Sequence, residues 1–204
     1  MRKSLCVVAC AAMIAVAASV SLGQERCTLM GVFYGGSEPW QEAGSYYDHD
    51  YYLFGVSAGV DNLAVSKVGA LGLRVDLGYI PWKMKSGRSD YKSTILMLAF
   101  RGAYAFPIFL EGKVRLAPTV GVGFYPISYS VPAGEEEPDS QAKAGVNFGG
   151  ELSYRATEKL ILTLGAIHHI VFTDYVGQVG GRKIEGETPF TVVSLTASYA
   201  LPSR

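Results

Sequence analysis

The chain has 204 residues, 49% of them hydrophobic, with 18 basic and 18 acidic side chains that cancel at neutral pH. That length suits a single domain, and the absence of a basic surplus gives no support to nucleic-acid binding. Three cysteines, two of them within the first ten residues, do not make a disulfide framework.

At the amino terminus, Arg2 and Lys3 precede an apolar stretch over residues 5–20, and Ser21-Leu22-Gly23 sets small residues where a signal peptidase reads. The expected organisation is a signal peptide over residues 1–23 and a barrel domain over residues 24–204. Removing Arg2 and Lys3 leaves 16 basic residues of the 18 against 18 acidic ones. Cys6 and Cys10 leave with the signal, so Cys27 remains as a lone thiol in an oxidising compartment, with no role that the sequence defines. Neither Cys10 nor Cys27 stands in a convincing lipid-attachment context. No later segment is a continuous apolar run of the roughly 20 residues that a membrane helix needs.

Beyond the leader the chain is a series of alternating apolar and polar runs. Candidate strands fall at 27–36, 51–60, 67–80, 93–105, 110–126, 142–155, 159–172 and 189–201, an even total of eight. The clearest is 110–125, where Val114, Leu116, Val120, Val122 and Phe124 share one face and Glu111, Lys113, Arg115, Thr119 and Tyr125 the other. Successive strand side chains point to opposite sides, so each face meets one environment. Ordinary strands run to about 5 or 6 residues, whereas a tilted crossing of a bilayer takes roughly 9 to 11. These runs are long enough to cross.

The links between strands alternate in length. Turns are predicted at Asp61-Asn62, Pro107-Ile108 and Ala156-Thr157-Glu158, while 37–50, 81–92, 127–141 and 173–188 are long and polar. Short periplasmic turns opposite long external loops are the pattern of outer-membrane barrels. Aromatic residues gather near the strand ends: Tyr51, Tyr52, Tyr79, Trp82, Tyr91, Tyr125, Tyr129, Phe172, Tyr175 and Phe190 beside the long links, Phe106, Phe109, Tyr154 and Tyr199 beside the short ones. They are expected to form two girdles where lipid meets water.

A secreted soluble barrel would show the same alternation with its apolar face turned inward. Glycine separates the two readings. The polar face carries Gly55, Gly59, Gly72, Gly78, Gly121, Gly123, Gly145, Gly149 and Gly165, which a solvated surface does not need and a narrow eight-stranded lumen does.

With these runs the chain resembles the small outer-membrane barrels: the transmembrane domain of outer membrane protein A, and the OmpX and OmpW proteins. The resemblance covers residues 27–201 and rests on strand pattern plus stretches such as Val146-Asn147-Phe148-Gly149-Gly150-Glu151-Leu152-Ser153-Tyr154. It implies an all-β, eight-stranded antiparallel up-and-down transmembrane barrel in the outer membrane. The partners implied are outer-membrane lipid, lipopolysaccharide and the barrel assembly machinery, which reads the last strand.

With the apolar faces outward, Arg74, Asp76, Arg101, Glu111, Lys113, Arg115, Lys143, Glu151 and Arg155 face the lumen. Confined ions must pair; the expectation is a cluster of Arg101, Arg115 and Glu151 with Glu111 nearby. In the outer half, Leu53, Ile95, Met97, Ile167, His169 and Val192 are small or apolar enough to frame a pocket, and the OmpW resemblance suggests a small apolar ligand there.

Candidate chemistry is sparse. His168 and His169 are adjacent in one strand and must diverge, and Val171 stands where an outer-membrane lipid A deacylase has its serine. His49 with Ser89 and Asp90 is a loose match to a palmitoyltransferase set drawn from the loops. Asp48-His49-Asp50 and Glu135-Glu136-Glu137 with Asp139 lack the spacing of a defined calcium loop. Lys83, Lys85, Arg88 and Lys92 could meet lipopolysaccharide phosphate. The expectation is a non-enzymatic barrel with a packed lumen, no metal and no cofactor, in a structural or surface-binding role. A carrier for a small apolar ligand is the alternative, and a lipid A acyltransferase a more distant one.

Overall fold

The computed structural model describes residues 27–40, 47, 51–83, 91–134, 140–173, 175–179, 182–185 and 188–201. The leader expected over residues 1–23 lies outside them. Eight strands close into one antiparallel ring: β1 (Cys27–Pro39), β2 (Tyr51–Val65), β3 (Ala70–Lys83), β4 (Lys92–Phe109), β5 (Val114–Ser130), β6 (Gln141–Arg155), β7 (Leu160–Val171) and β10 (Thr188–Leu201). Neighbours in sequence are neighbours in the sheet, and β1 pairs with β10 to close it. Between β7 and β10 the expected long polar link carries a short hairpin of its own, β8 (Tyr175–Val179) against β9 (Arg182–Glu185).

Burial alternates along the strands as the pleat requires. On β5, Ala117, Thr119, Gly123, Tyr125, Ile127 and Tyr129 are buried, while Leu116, Val120, Val122 and Phe124 are exposed. Val120 is 68% exposed, Val32 62% and Leu195 57%, so aliphatic side chains cover much of the outside of the ring. The outward positions of the eight strands carry no Asp, Glu, Lys or Arg except Glu38, Lys83 and Lys92, all at the end where the long links leave. No helix among the described residues is long and apolar enough to cross a membrane.

Two of the three predicted turns are displaced. At Asp61-Asn62 the chain does not reverse: the register with β3 slips between Val60 and Ala64, and Asn62 takes a positive φ of 58°. Asparagine adopts that left-handed region with little strain, which makes a bulge possible at a site with turn propensity. The reversal comes at residues 66–69, where Ser66 N donates to Gly69 O at 2.8 Å and Ser66 Oγ accepts from the backbone N–H of Val68 and Gly69. Pro107-Ile108 likewise remains within β4. The turn is a single 3-10 loop, Leu110–Gly112, with positive φ at all three residues. Residues 110–112, predicted as the start of a strand, therefore belong to no strand. The third turn falls at residues 156–159, around the predicted Ala156-Thr157-Glu158, where the backbone N–H of Ala156 and of Thr157 donates to Leu160 O.

The lumen glycines have a steric purpose. A Cβ on Gly123 or Gly145 would run into the ring of Tyr125, and one on Gly55 into that of Phe33. Both rings lie inside the barrel and are almost fully buried. Gly123→Leu should therefore destabilise the barrel by about 1 to 3 kcal/mol, through overpacking against a Tyr125 ring with nowhere to go. Denaturant unfolding of the variant in phospholipid vesicles measures this; a midpoint equal to wild type would mean that the lumen is loose there.

Candidate functional site: the barrel lumen

The charged layer lies in the half nearer the short turns. Arg101, projecting inward from β4, donates from Nε to Asp76 Oδ2 at 2.8 Å, and its Nη2 lies 2.6 Å from the same oxygen. Its third contact, from Nη1 to Glu151 Oε1 at 2.5 Å, reaches past β5 to β6. All three side chains are buried, and one guanidinium bridges two carboxylates there. One layer lower, Arg74 donates to Asp61 Oδ1 at 2.6 Å.

This differs from the sequence expectation at particular residues. Asp61, predicted in a turn, is brought by the bulge into the lumen as the partner of Arg74. Glu111 is not a lumen residue, because it sits exposed in the 3-10 turn. Lys113 is also exposed, at the foot of β5, where it edges the lower cavity. Arg115 lines that same cavity but does not bond Glu151, which Arg101 occupies; its Nε lies 3.4 Å from Gly112 O.

The half nearer the long links is filled by rings. Leu53, Ile95, Met97, Ile167, His169 and Val192 are all buried there, as their parity implies. The space among them is taken by side chains that the girdle prediction places elsewhere. Trp82, Tyr125, Tyr129 and Phe190, expected at the lipid interface, are all buried inside. Trp82 shares parity with Asp76 and Gly78, and Phe190 with Val192, so the alternation carries the signal while position along the strand suggests a girdle. Trp82 Nε1 donates to Ser37 Oγ at 3.0 Å, and its ring meets Tyr47 at 5.4 Å and the edge of Phe190 at 5.5 Å. Phe190 stacks on His169 with centroids 4.8 Å apart, and His169 Nδ1 lies 2.8 Å from the Tyr125 hydroxyl. Other girdle residues do face outward: Tyr52, stacked on Tyr34, Tyr79, against Phe54, and the exposed Phe172, with Phe109, Tyr154 and Tyr199 exposed at the short-turn end.

Among the described residues the lumen includes two small cavities. One of about 20 Å³ lies between His169, Val192, Arg101 and Glu151; another of about 30 Å³ lies below the Arg101 bridge, between Arg74, Arg115 and Arg155. Each has room for only a water molecule or two.

His168, adjacent to His169, points outward to Thr191 Oγ1 at 3.0 Å, so the two rings do not share a site. Among the described residues no group of histidine, cysteine and carboxylates could hold a metal ion. His49, Ser89 and Asp90 lie outside the described residues, as do Asp48, Asp50, Lys85, Arg88, Glu135, Glu136, Glu137 and Asp139.

No family model and no curated protein matches this chain. Solved structures do. Neisserial surface protein A superposes with a TM-score of 0.57 at 15% identity, covering 84% of this chain and 96% of its own. Ail, the attachment invasion locus protein of Yersinia pestis, gives 0.53 at 11% identity over 88% of this chain and 100% of its own. The fold is that of the small outer-membrane β-barrels. The outer-membrane protease OmpT of Escherichia coli also superposes, with a TM-score of 0.51 at 7% identity over 86% of this chain and 97% of its own. An outer-membrane barrel can thus carry an enzyme or none, and its architecture does not decide between them.

Proposed function

We propose that this chain is an outer-membrane protein, exported by its amino-terminal leader and inserted by the barrel assembly machinery, that works through its outer wall and its long-link end without catalysis. The observation that carries this reading is the filling of the described lumen by the Trp82 and Phe190 rings above and the Arg101 bridge below, with a cavity of only about 20 Å³ between them. A carrier needs an open upper pocket, and the described upper lumen has rings in that place. An acyl transferase needs His49, Ser89 and Asp90 to converge, and nothing in the described lumen supplies a substitute for them.

Surface binding is the remaining role. Lys83 and Lys92 are opposite each other at the ends of β3 and β4, flanking a link that also contains Lys85 and Arg88. That basic end suits phosphate groups of lipopolysaccharide. Ail has been crystallised with the heparin analogue sucrose octasulfate, which supports a polyanion as a class of ligand for this architecture.

The test is refolding of the mature chain into phospholipid vesicles loaded with a small fluorescent dye. A heat-modifiable gel band with leakage no faster than from protein-free vesicles is expected. Rapid leakage from vesicles containing the folded band would overturn the plugged-lumen reading.

A further inference from the structure

The short-turn end of the lumen carries more positive charge than its own carboxylates can neutralise. The lower cavity is lined by Arg74, Lys113, Arg115 and Arg155 against Asp61 and Glu151. Asp61 is held by Arg74 at 2.6 Å, and Glu151 by Arg101 at 2.5 Å. Lys113, Arg115 and Arg155 are left without a carboxylate partner among the described residues.

These three are also close together. Arg115 pairs in register with Ser153 and Val114 with Tyr154, and Arg155 N donates to Lys113 O at 2.9 Å. The three cations therefore occupy one patch of wall at the feet of β5 and β6. Cross-strand neighbours are about 5 Å apart and diagonal ones about 7 to 8 Å, and like charges at such spacings repel. A fold has no need of three cations there.

We infer that this patch is an anion site, open at the short-turn end, which takes one carboxylate or phosphate group between Arg115 and Arg155 with Lys113 at the rim. Guanidinium groups present a planar fork that matches both oxyanions, and charge-assisted bonds of this kind are the strong ones. The cavity has room for only a water molecule or two, so just the leading oxygens of the oxyanion enter, and the rest of the group with whatever carries it stays at the open end, outside the barrel. Glu151, which Arg101 holds, lines the cavity, so the anion meets a carboxylate and does not pass upward.

Two sources supply such a group: a free inorganic anion, or the acidic end of a larger molecule. Isothermal titration of the refolded full chain in detergent micelles, at constant ionic strength, distinguishes them. Inorganic phosphate should bind saturably, and the Arg115→Gln/Arg155→Gln double variant should bind it at least about tenfold more weakly. Triglycine with a free carboxylate, but not its amide, displaces phosphate if an acidic end is admitted; phosphate binding alone assigns the site to the free ion. Gel mobility verifies that the double variant folds, and Arg155→Gln alone, at the open rim, replaces it if it does not. The inference is overturned if neither phosphate nor the free-acid peptide binds, or if the variant binds phosphate as tightly as wild type.

Discussion

Arg101→Met is expected to lower the stability of the folded barrel by about 3 to 5 kcal/mol, the usual consequence of removing one partner from a buried ionic cluster. Methionine fills much of the same space but leaves Asp76 and Glu151 buried, unpaired and repelling each other. Combining Arg101→Met with Asp76→Asn and Glu151→Gln should recover most of the loss, because neither buried carboxylate is then left charged and unpaired. Denaturant unfolding in phospholipid vesicles, followed by heat-modifiable mobility, gives both values. If the single variant were within about 1 kcal/mol of wild type, water would have to reach the middle of the lumen and the plug would not be dry.

Trp82→Ala has a comparable expected effect for a different reason. Trp82 is 1% exposed, packed between Tyr47 and Phe190, and its indole N–H is satisfied by Ser37. Truncation of a buried tryptophan costs about 3 to 5 kcal/mol when the neighbours cannot collapse into the space. The cavity left behind would be walled largely by rings and aliphatic side chains, a surface that stays dry and takes a small apolar molecule. Added indole should therefore raise the unfolding midpoint of Trp82→Ala and leave that of wild type unchanged. An equal response in both would mean that the wild-type upper lumen is already open, and the carrier reading would return.

The strand pattern and the two faces are legible in the chain because a pleat assigns sides with a period of two, and because an eight-stranded lumen has to thin its lining with glycine at places such as Gly123 and Gly55. The export signal and the loop residues His49, Ser89 and Asp90 are legible as motifs alone. Turn positions are less so. Asn62 and Pro107 are turn formers by propensity, yet one is used for a bulge and the other tolerated near a strand end, since the strands have to extend further to complete their pairing.

Alternation, together with the glycines on its polar face, determined that there would be a closed sheet with a greasy outside and a charged, glycine-lined inside. Only the closed ring decided which inward residues meet, because stagger between strands sets the height of each side chain in the lumen. That stagger brings Arg101 to Glu151 past the strand of Arg115, turns Asp61 toward Arg74, and stacks Phe190 on His169 instead of leaving its ring in the lipid. Parity is a local property of one strand; height and cross-section belong to the barrel as a whole.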